Sequence, residues 1–128
     1  SWYPTRTERR MTEVCDLRYT ADVSEIRNGL QMKFAAAGTE GVPITVEFNF
    51  RPNGTLEGCK PAPEVADAYL LGNGYGVYRN GAHAMRFGPG LEQHAYTQLH
   101  RLPPKLPGKS VYLTAFSPFE HTIRFEWV

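Results

Sequence analysis

What is scarce in these 128 residues removes whole classes of function. Cysteine occurs twice, at Cys15 and Cys59, too sparsely for a zinc or redox motif. The two fit either a single disulfide in an oxidising compartment or a pair of buried thiols. An excess of one charge is missing, with 14 Lys and Arg against 13 Asp and Glu. The nearest thing to a basic run, Arg6, Arg9 and Arg10, is diluted by Glu8. Nucleic acid calls for a denser stripe, so no nucleic-acid partner is expected. No apolar run approaches the roughly 18 residues of a membrane helix, and no membrane partner is expected. There is no His-x-His pair to begin a metal site of the jelly-roll type, so neither metal nor cofactor is expected. There is no Gly-x-Ser-x-Gly nucleophile elbow. Gly72-Asn73-Gly74-Tyr75-Gly76 superficially looks like a phosphate loop, but no helix follows it. A sustained helical period is absent throughout.

What is present is alternation. In Ser110–Val128, Ile123, Phe125 and Trp127 fall on one face, with Thr122, Arg124 and Glu126 on the other. Before the Ser117-Pro118 turn, Val111, Leu113 and Ala115 alternate with Tyr112, Thr114 and Phe116. Period-2 patterning describes strands with one face in a core. Ile44, Val46, Phe48 and Phe50 alternate with Thr45, Glu47, Asn49 and Arg51, the cleanest strand in the chain. Ile123, Phe125 and Trp127 should complete the core that this strand begins. Leu30, Met32, Phe34 and Ala36 alternate after Asn28-Gly29, and a weaker alternation runs from Met11 to Tyr19.

Asn-Gly occurs four times, at residues 28, 53, 73 and 80. Each is a hairpin signal, because both residues tolerate the positive φ of a type I′ turn. With Asn80-Gly81 as the turn, Tyr78 faces His83 and Tyr75 faces Arg86. Tyr78, His83, Met85 and Phe87 then share one face; Tyr75, Val77, Ala84 and Arg86 share the other. Pro52-Asn53-Gly54 closes a hairpin into Thr55–Cys59. Residues 35–41 form a small-residue loop, and 65–71 fit either a strand or a turn of helix. The run Gln93–His100 alternates again, and the proline-rich 101–109 is an extended loop. The fold class is therefore all-β: an antiparallel β-sandwich or jelly roll of about eight to ten strands joined by Asn-Gly hairpins. Residues 1–10 form an N-terminal arm or linker, and residues 11–128 a single domain. The absence of an initiator Met and the strand at the C-terminus suit a piece of a longer chain.

Among candidate chemistries, His94, Tyr96, Gln98 and His100 make a polar, aromatic stripe suited to a polyhydroxylated ligand. Tyr75 adds a stacking ring and Arg86 a cation for hydroxyls or an acidic sugar. A Tyr–His pair can be composed from Tyr96 and His94 or from Tyr78 and His83. Glu92 and Glu120 are conceivable glycosidase-type carboxylates, which must lie about 5–10 Å apart. Phe119, Glu120 and His121 are expected in a loop after the Ser-Pro turn.

Gly41-Val42-Pro43-Ile44-Thr45-Val46-Glu47-Phe48, together with Tyr112-Leu113-Thr114 and Ser117-Pro118-Phe119-Glu120-His121, resembles the terminal β-sandwich modules of bacterial polysaccharide-degrading enzymes. The heparinase II/III-like lyases are the nearest comparison. The resemblance implies a secreted or periplasmic accessory module packed against an N-terminal domain of the same polypeptide. No catalytic residue of that family maps onto this chain. The expected function is a non-catalytic module binding or presenting an acidic or neutral polysaccharide through Tyr75, Arg86, His94, Tyr96 and Gln98. The alternatives are a purely structural packing module, or a small lyase or epimerase using a Tyr–His or Glu–His site.

Overall fold

The computed structural model describes residues 5–9, 16–63, 65–95 and 107–128. Among them lie eleven strands and no helix. In chain order these are β1 (Thr5–Arg9), β2 (Leu17–Ile26), β3 (Gly29–Gly38), β4 (Pro43–Phe50), β5 (Thr55–Glu57) and β6 (Lys60–Pro61). They continue with β7 (Ala68–Leu70), β8 (Gly76–Asn80), β9 (His83–Gly88), β10 (Lys109–Phe116) and β11 (Phe119–Trp127). A five-stranded sheet runs β1-β4-β10-β7-β6, and a six-stranded sheet runs β2-β3-β11-β9-β8-β5. The expected all-β sandwich is what forms. The smaller sheet is mixed, because β7 joins β10 in parallel.

The core is the interface between the sheets. Ile44, Val46, Phe48 and Phe50 of β4, with Val111 and Leu113 of β10, meet Met32, Phe34, Phe87, Ile123 and Phe125 from the other sheet. Phe48 lies edge-on to Phe34 at 5.5 Å and to Phe125 at 5.2 Å. Each such ring, fully buried, contributes about 1.5–3 kcal/mol of transfer free energy. The two runs of Ser110–Val128 do not pair with each other. The turn at Ser117-Pro118 carries the chain from one sheet to the other, so β10 and β11 face each other across the core.

Period alone does not settle burial. Strand β10 is buried on both faces from Ser110 to Ala115, because a second small cluster of Ala62, Ala68 and Tyr112, flanked by Val65 and Leu70, covers its outer side. Glu47, on the nominally polar face of β4, is also buried. Its Oε2 accepts a 2.6 Å hydrogen bond from Ser110 Oγ, and Ser110 in turn accepts from Asn49 Nδ2 at 3.2 Å.

Several expected boundaries move. Thr5–Arg9, expected within an arm, is an edge strand in register with β4. Strand β3 continues through Gly38, where a loop was expected, and residues 68–70 are a strand. Pro52–Gly54 closes no hairpin: β4 and β5 belong to different sheets, so the turn is a crossing between layers. Asn73-Gly74 likewise joins strands of different sheets, β7 and β8; the β2–β3 and β8–β9 hairpins form, but their turns sit one residue from the Asn-Gly pairs. The β2–β3 turn is Arg27-Asn28, since Ile26 pairs with Gly29, and a Cβ on Gly29 would collide with the Phe125 carbonyl of β11. The β8–β9 turn is Gly81-Ala82, since Asn80 pairs with His83. Gly81 alone takes a positive φ, 64°, which is the type II′ pattern with glycine first. Moving a turn by one position slides the pairing by two residues, so every side chain keeps its expected face.

Candidate functional site

Three strands of the larger sheet carry inward-facing residues past the end of the smaller one. On β9 the inward stripe runs from Phe87 and Met85, both buried, to His83, which is exposed. On β11 it runs from Phe125, fully buried, to Trp127, which is 52% exposed. The facing strand β4 stops at Phe50. Beyond that point nothing from β4 opposes the stripe, and a cleft of about 310 Å³ opens, lined by Phe50, Arg51, Tyr78, Asn80, His83, Met85 and Trp127. Trp127 was expected to complete the core; it walls the cleft instead, because the opposing strand is too short to cover it.

The cleft is braced. The Tyr78 ring stacks on Phe50 at 4.9 Å with 20° between planes. Its hydroxyl donates a 2.7 Å hydrogen bond to the Arg51 carbonyl. The ring also lies directly over Gly54, where a Cβ would come within 2.5 Å of Cε1 and closer still to Cζ and Oη. Opposite, His83 meets the Trp127 ring edge-on at 6.2 Å. The result is an apolar floor of Phe50 and Met85, aromatic walls, and polar groups from Arg51, Asn80 and His83. Small-ligand sites have this composition, in volumes from about 300 Å³ upward.

The residues singled out from sequence divide among three places. Tyr75 and Arg86 come together: the Arg86 guanidinium carbon sits 3.9 Å from the Tyr75 ring centroid. Their strand partners differ from those expected, since Val77 and not Tyr75 pairs with Arg86. The Tyr75 ring also lies against Gly88, yet the side chain remains exposed. His94 belongs to the smaller sheet, not to this pair. Gln93 and His94 form a bend and not a strand, because the chain leaves the edge of β10 after one isolated bridge at Glu92 and Thr114. The His94 Nε2 lies 3.2 Å from the Ile44 carbonyl and 3.1 Å from that of Ala115. Its ring rests 4.8 Å from Phe116. In the Nε2–H tautomer the imidazole clips the ends of β4 and β10 together. Tyr96, Gln98 and His100 lie outside the described residues.

His83 and Tyr78 do share the expected face and both line the cleft. Arg51, Asn80 and Trp127 were not assigned to a site by sequence; the only signal was their position at the ends of alternating runs. Phe119, Glu120 and His121 lie in β11, not in a loop. His121 Nε2 is 2.7 Å from the Pro89 carbonyl, and Glu120 pairs with Lys33 at 3.3 Å. Glu92 and Glu120 are carried by different sheets, which does not favour a glycosidase pair. Among the described residues no group of three His, Cys, Asp or Glu gathers as metal ligands. Cys59 is a free thiol, and burial pushes it up to about 11, so it is a poor nucleophile near neutral pH. No helix among the described residues is long and apolar enough to cross a membrane.

Comparison with protein-family models, with curated proteins and with solved structures yields no match.

Proposed function

We propose that this chain is a non-catalytic β-sandwich module of a larger carbohydrate-active enzyme, and that it holds a sugar in the cleft at the end of the sandwich. The observation that carries this reading is the half-exposed Trp127, set with Tyr78 and His83 around an apolar floor. An aromatic face packs against the C–H face of a sugar ring, while Arg51, Asn80 and His83 supply hydrogen bonds to hydroxyls. The Arg51 cation suits an acidic sugar over a neutral one. A secreted or periplasmic location and a companion domain on the same polypeptide accompany the proposal.

The packing-module alternative has less support. The outer face of the six-stranded sheet is laced with polar pairs: Lys33 with Glu120, Arg79 with Glu57 at 2.6 Å, and Arg124 with Gln31 at 3.2 Å. A face built to dock a neighbour would carry a contiguous apolar patch. The lyase alternative keeps Tyr78 and His83 in one cleft, but the Tyr78 hydroxyl is committed to the Arg51 carbonyl.

The test is titration of the native chain with uronic-acid and neutral oligosaccharides, followed by tryptophan fluorescence and calorimetry. The expected result is tighter binding of the acidic series, with Trp127→Ala weakening it at least tenfold at an unchanged melting temperature. Unaltered affinity in Trp127→Ala removes the cleft from the proposal. Release of unsaturated sugar ends would replace the binding module with a lyase.

A further inference from the structure

Among the described residues, strand β2, ten residues long, forms one edge of the six-stranded sheet. Sheet edges invite pairing with another chain unless they are blunted. The other three edges are shorter. Strand β6 has two residues and includes Pro61, β5 has three residues, and β1 has five. Strand β2 has neither proline nor lysine, and its register with β3 runs unbroken from Leu17 to Ile26. Every residue from Thr20 to Glu25 is exposed, Val23 at 52%.

The open backbone groups can be assigned. The Thr39 amide donates to the Asp16 carbonyl at 2.9 Å, at the head of the same register. Hydrogen-bonded and non-bonded pairs alternate along an antiparallel ladder. Arg18, Thr20, Asp22, Ser24 and Ile26 therefore direct their amides and carbonyls to β3. Those of Ala21, Val23 and Glu25 point away, along the open edge.

We propose that a second copy of this chain pairs antiparallel with β2, joining two six-stranded sheets into one. Charge selects both the partner and the direction. Arg18 stands in the first half of β2, Asp22 and Glu25 in the second. Antiparallel self-pairing sets the basic half of one copy against the acidic half of the other, while parallel pairing would set like charges side by side. Arg18 is available for this: its contact with Asp16 is 3.9 Å long, and both side chains are mostly exposed. A two-fold axis through Asp22 would oppose two carboxylates. An axis through Ala21 instead places Asp22 opposite the hydroxyl of Thr20, Arg18 opposite Ser24 and diagonal to Asp22 of the other copy, and an apolar side chain on the axis. Such an interface is isologous and closes as a dimer, not a filament.

Sedimentation of the native chain across a wide concentration range is the test, with Ala21→Pro and Val23→Lys as variants. Proline at residue 21 removes an edge donor and leaves the β3 ladder intact; lysine at residue 23 adds an edge cation. The expected result is a native dimer whose dissociation constant rises at least tenfold in both variants, with the melting temperature of the dilute monomer unchanged. In the native chain, amide exchange at Ala21, Val23 and Glu25 slows at least tenfold on dimerisation, while Asp22 and Ser24 do not change. A monomer at every concentration overturns the proposal. So does a dimer indifferent to both variants, or exchange at Ala21 and Val23 that ignores concentration. A monomer whose β2 amides are protected only by an added extended peptide would put a peptide in the second copy's place. If both variants fail to fold, the exchange data on the native chain decide.

Discussion

Gly54→Ala probes whether the cleft wall is held as described. Gly54 has no positive φ, so alanine there meets no backbone objection. By chain entropy alone the change would stabilise the fold by about 0.4–1 kcal/mol. The obstacle is the Tyr78 ring, which an added Cβ would overlap. Restoring ordinary carbon–carbon contact requires the ring to move by roughly 1 Å. That displacement breaks the hydrogen bond from Tyr78 to Arg51, worth about 0.5–1.5 kcal/mol net. It also spoils the stacking on Phe50, worth about 0.5–1.5 kcal/mol. Net of the entropy gain, Gly54→Ala should therefore destabilise the native chain by up to about 2.5 kcal/mol in urea melts. In a Tyr78→Ala background the obstacle is gone, and the same substitution should turn neutral or mildly stabilising. The double-mutant cycle reads this change of sign directly. Equal cost in both backgrounds would mean that the ring does not hold the cleft wall where it has been placed.

Two further outcomes can be checked. Ser110→Ala strips the buried Glu47 carboxylate of its hydroxyl donor and should cost about 1.5–3 kcal/mol, since hydrogen bonds to charged groups lie in that range; a melt within 0.5 kcal/mol of native would refute it. Cys59 keeps its proton up to about pH 11 in the folded chain, against 9.0 for the ordinary thiol. Between those values the unfolded chain ionises while the folded chain does not, so stability falls as pH rises from about 9 to about 11. Cys59→Ala should flatten that alkaline decline in urea midpoints, and parallel curves for the two proteins would contradict it.

The alternation in the sequence carries the sandwich and the inward faces of β3, β4 and β11. It could not place the hairpin turns, because a period of two does not contain what fixes them: the close approach of a distant strand in one hairpin and a glycine conformation in the other. Gly29 is held in its strand by the approach of Phe125, and Gly81 leads a II′ turn. Yet a two-residue slip leaves every face unchanged, which is why the core was legible while the pairing was not. Burial depends on what stands opposite, and a period of two does not contain that. Tyr112 is covered by Ala62, Val65, Ala68 and Leu70, Glu47 is buried on a polar face, and Trp127 is uncovered because β4 ends at Phe50. The Tyr78–His83 face was visible in the sequence. Its closure into a cleft with Arg51 and Trp127 depends on the relative lengths of strands in different sheets. His94 spends its polar ring atoms on three carbonyls of its own fold.

Strand order has a consequence for how the chain is made. The pair β10 and β11 supplies the middle of one sheet and an inner strand of the other. Strand β4 waits for β10 across more than fifty positions, and β3 waits for β11 across more than eighty. Synthesis proceeds from the N-terminus, so β3 and β4 leave the ribosome well before the strands that complete their sheets. Until residues 109–127 emerge, the pairs β1–β4, β2–β3, β5–β8, β6–β7 and β8–β9 have both halves present, but the strands that join them into two sheets are missing. Folding should be governed by the slow closure of these distant pairings, with the apolar faces of β3 and β4 exposed to chaperones in the meantime.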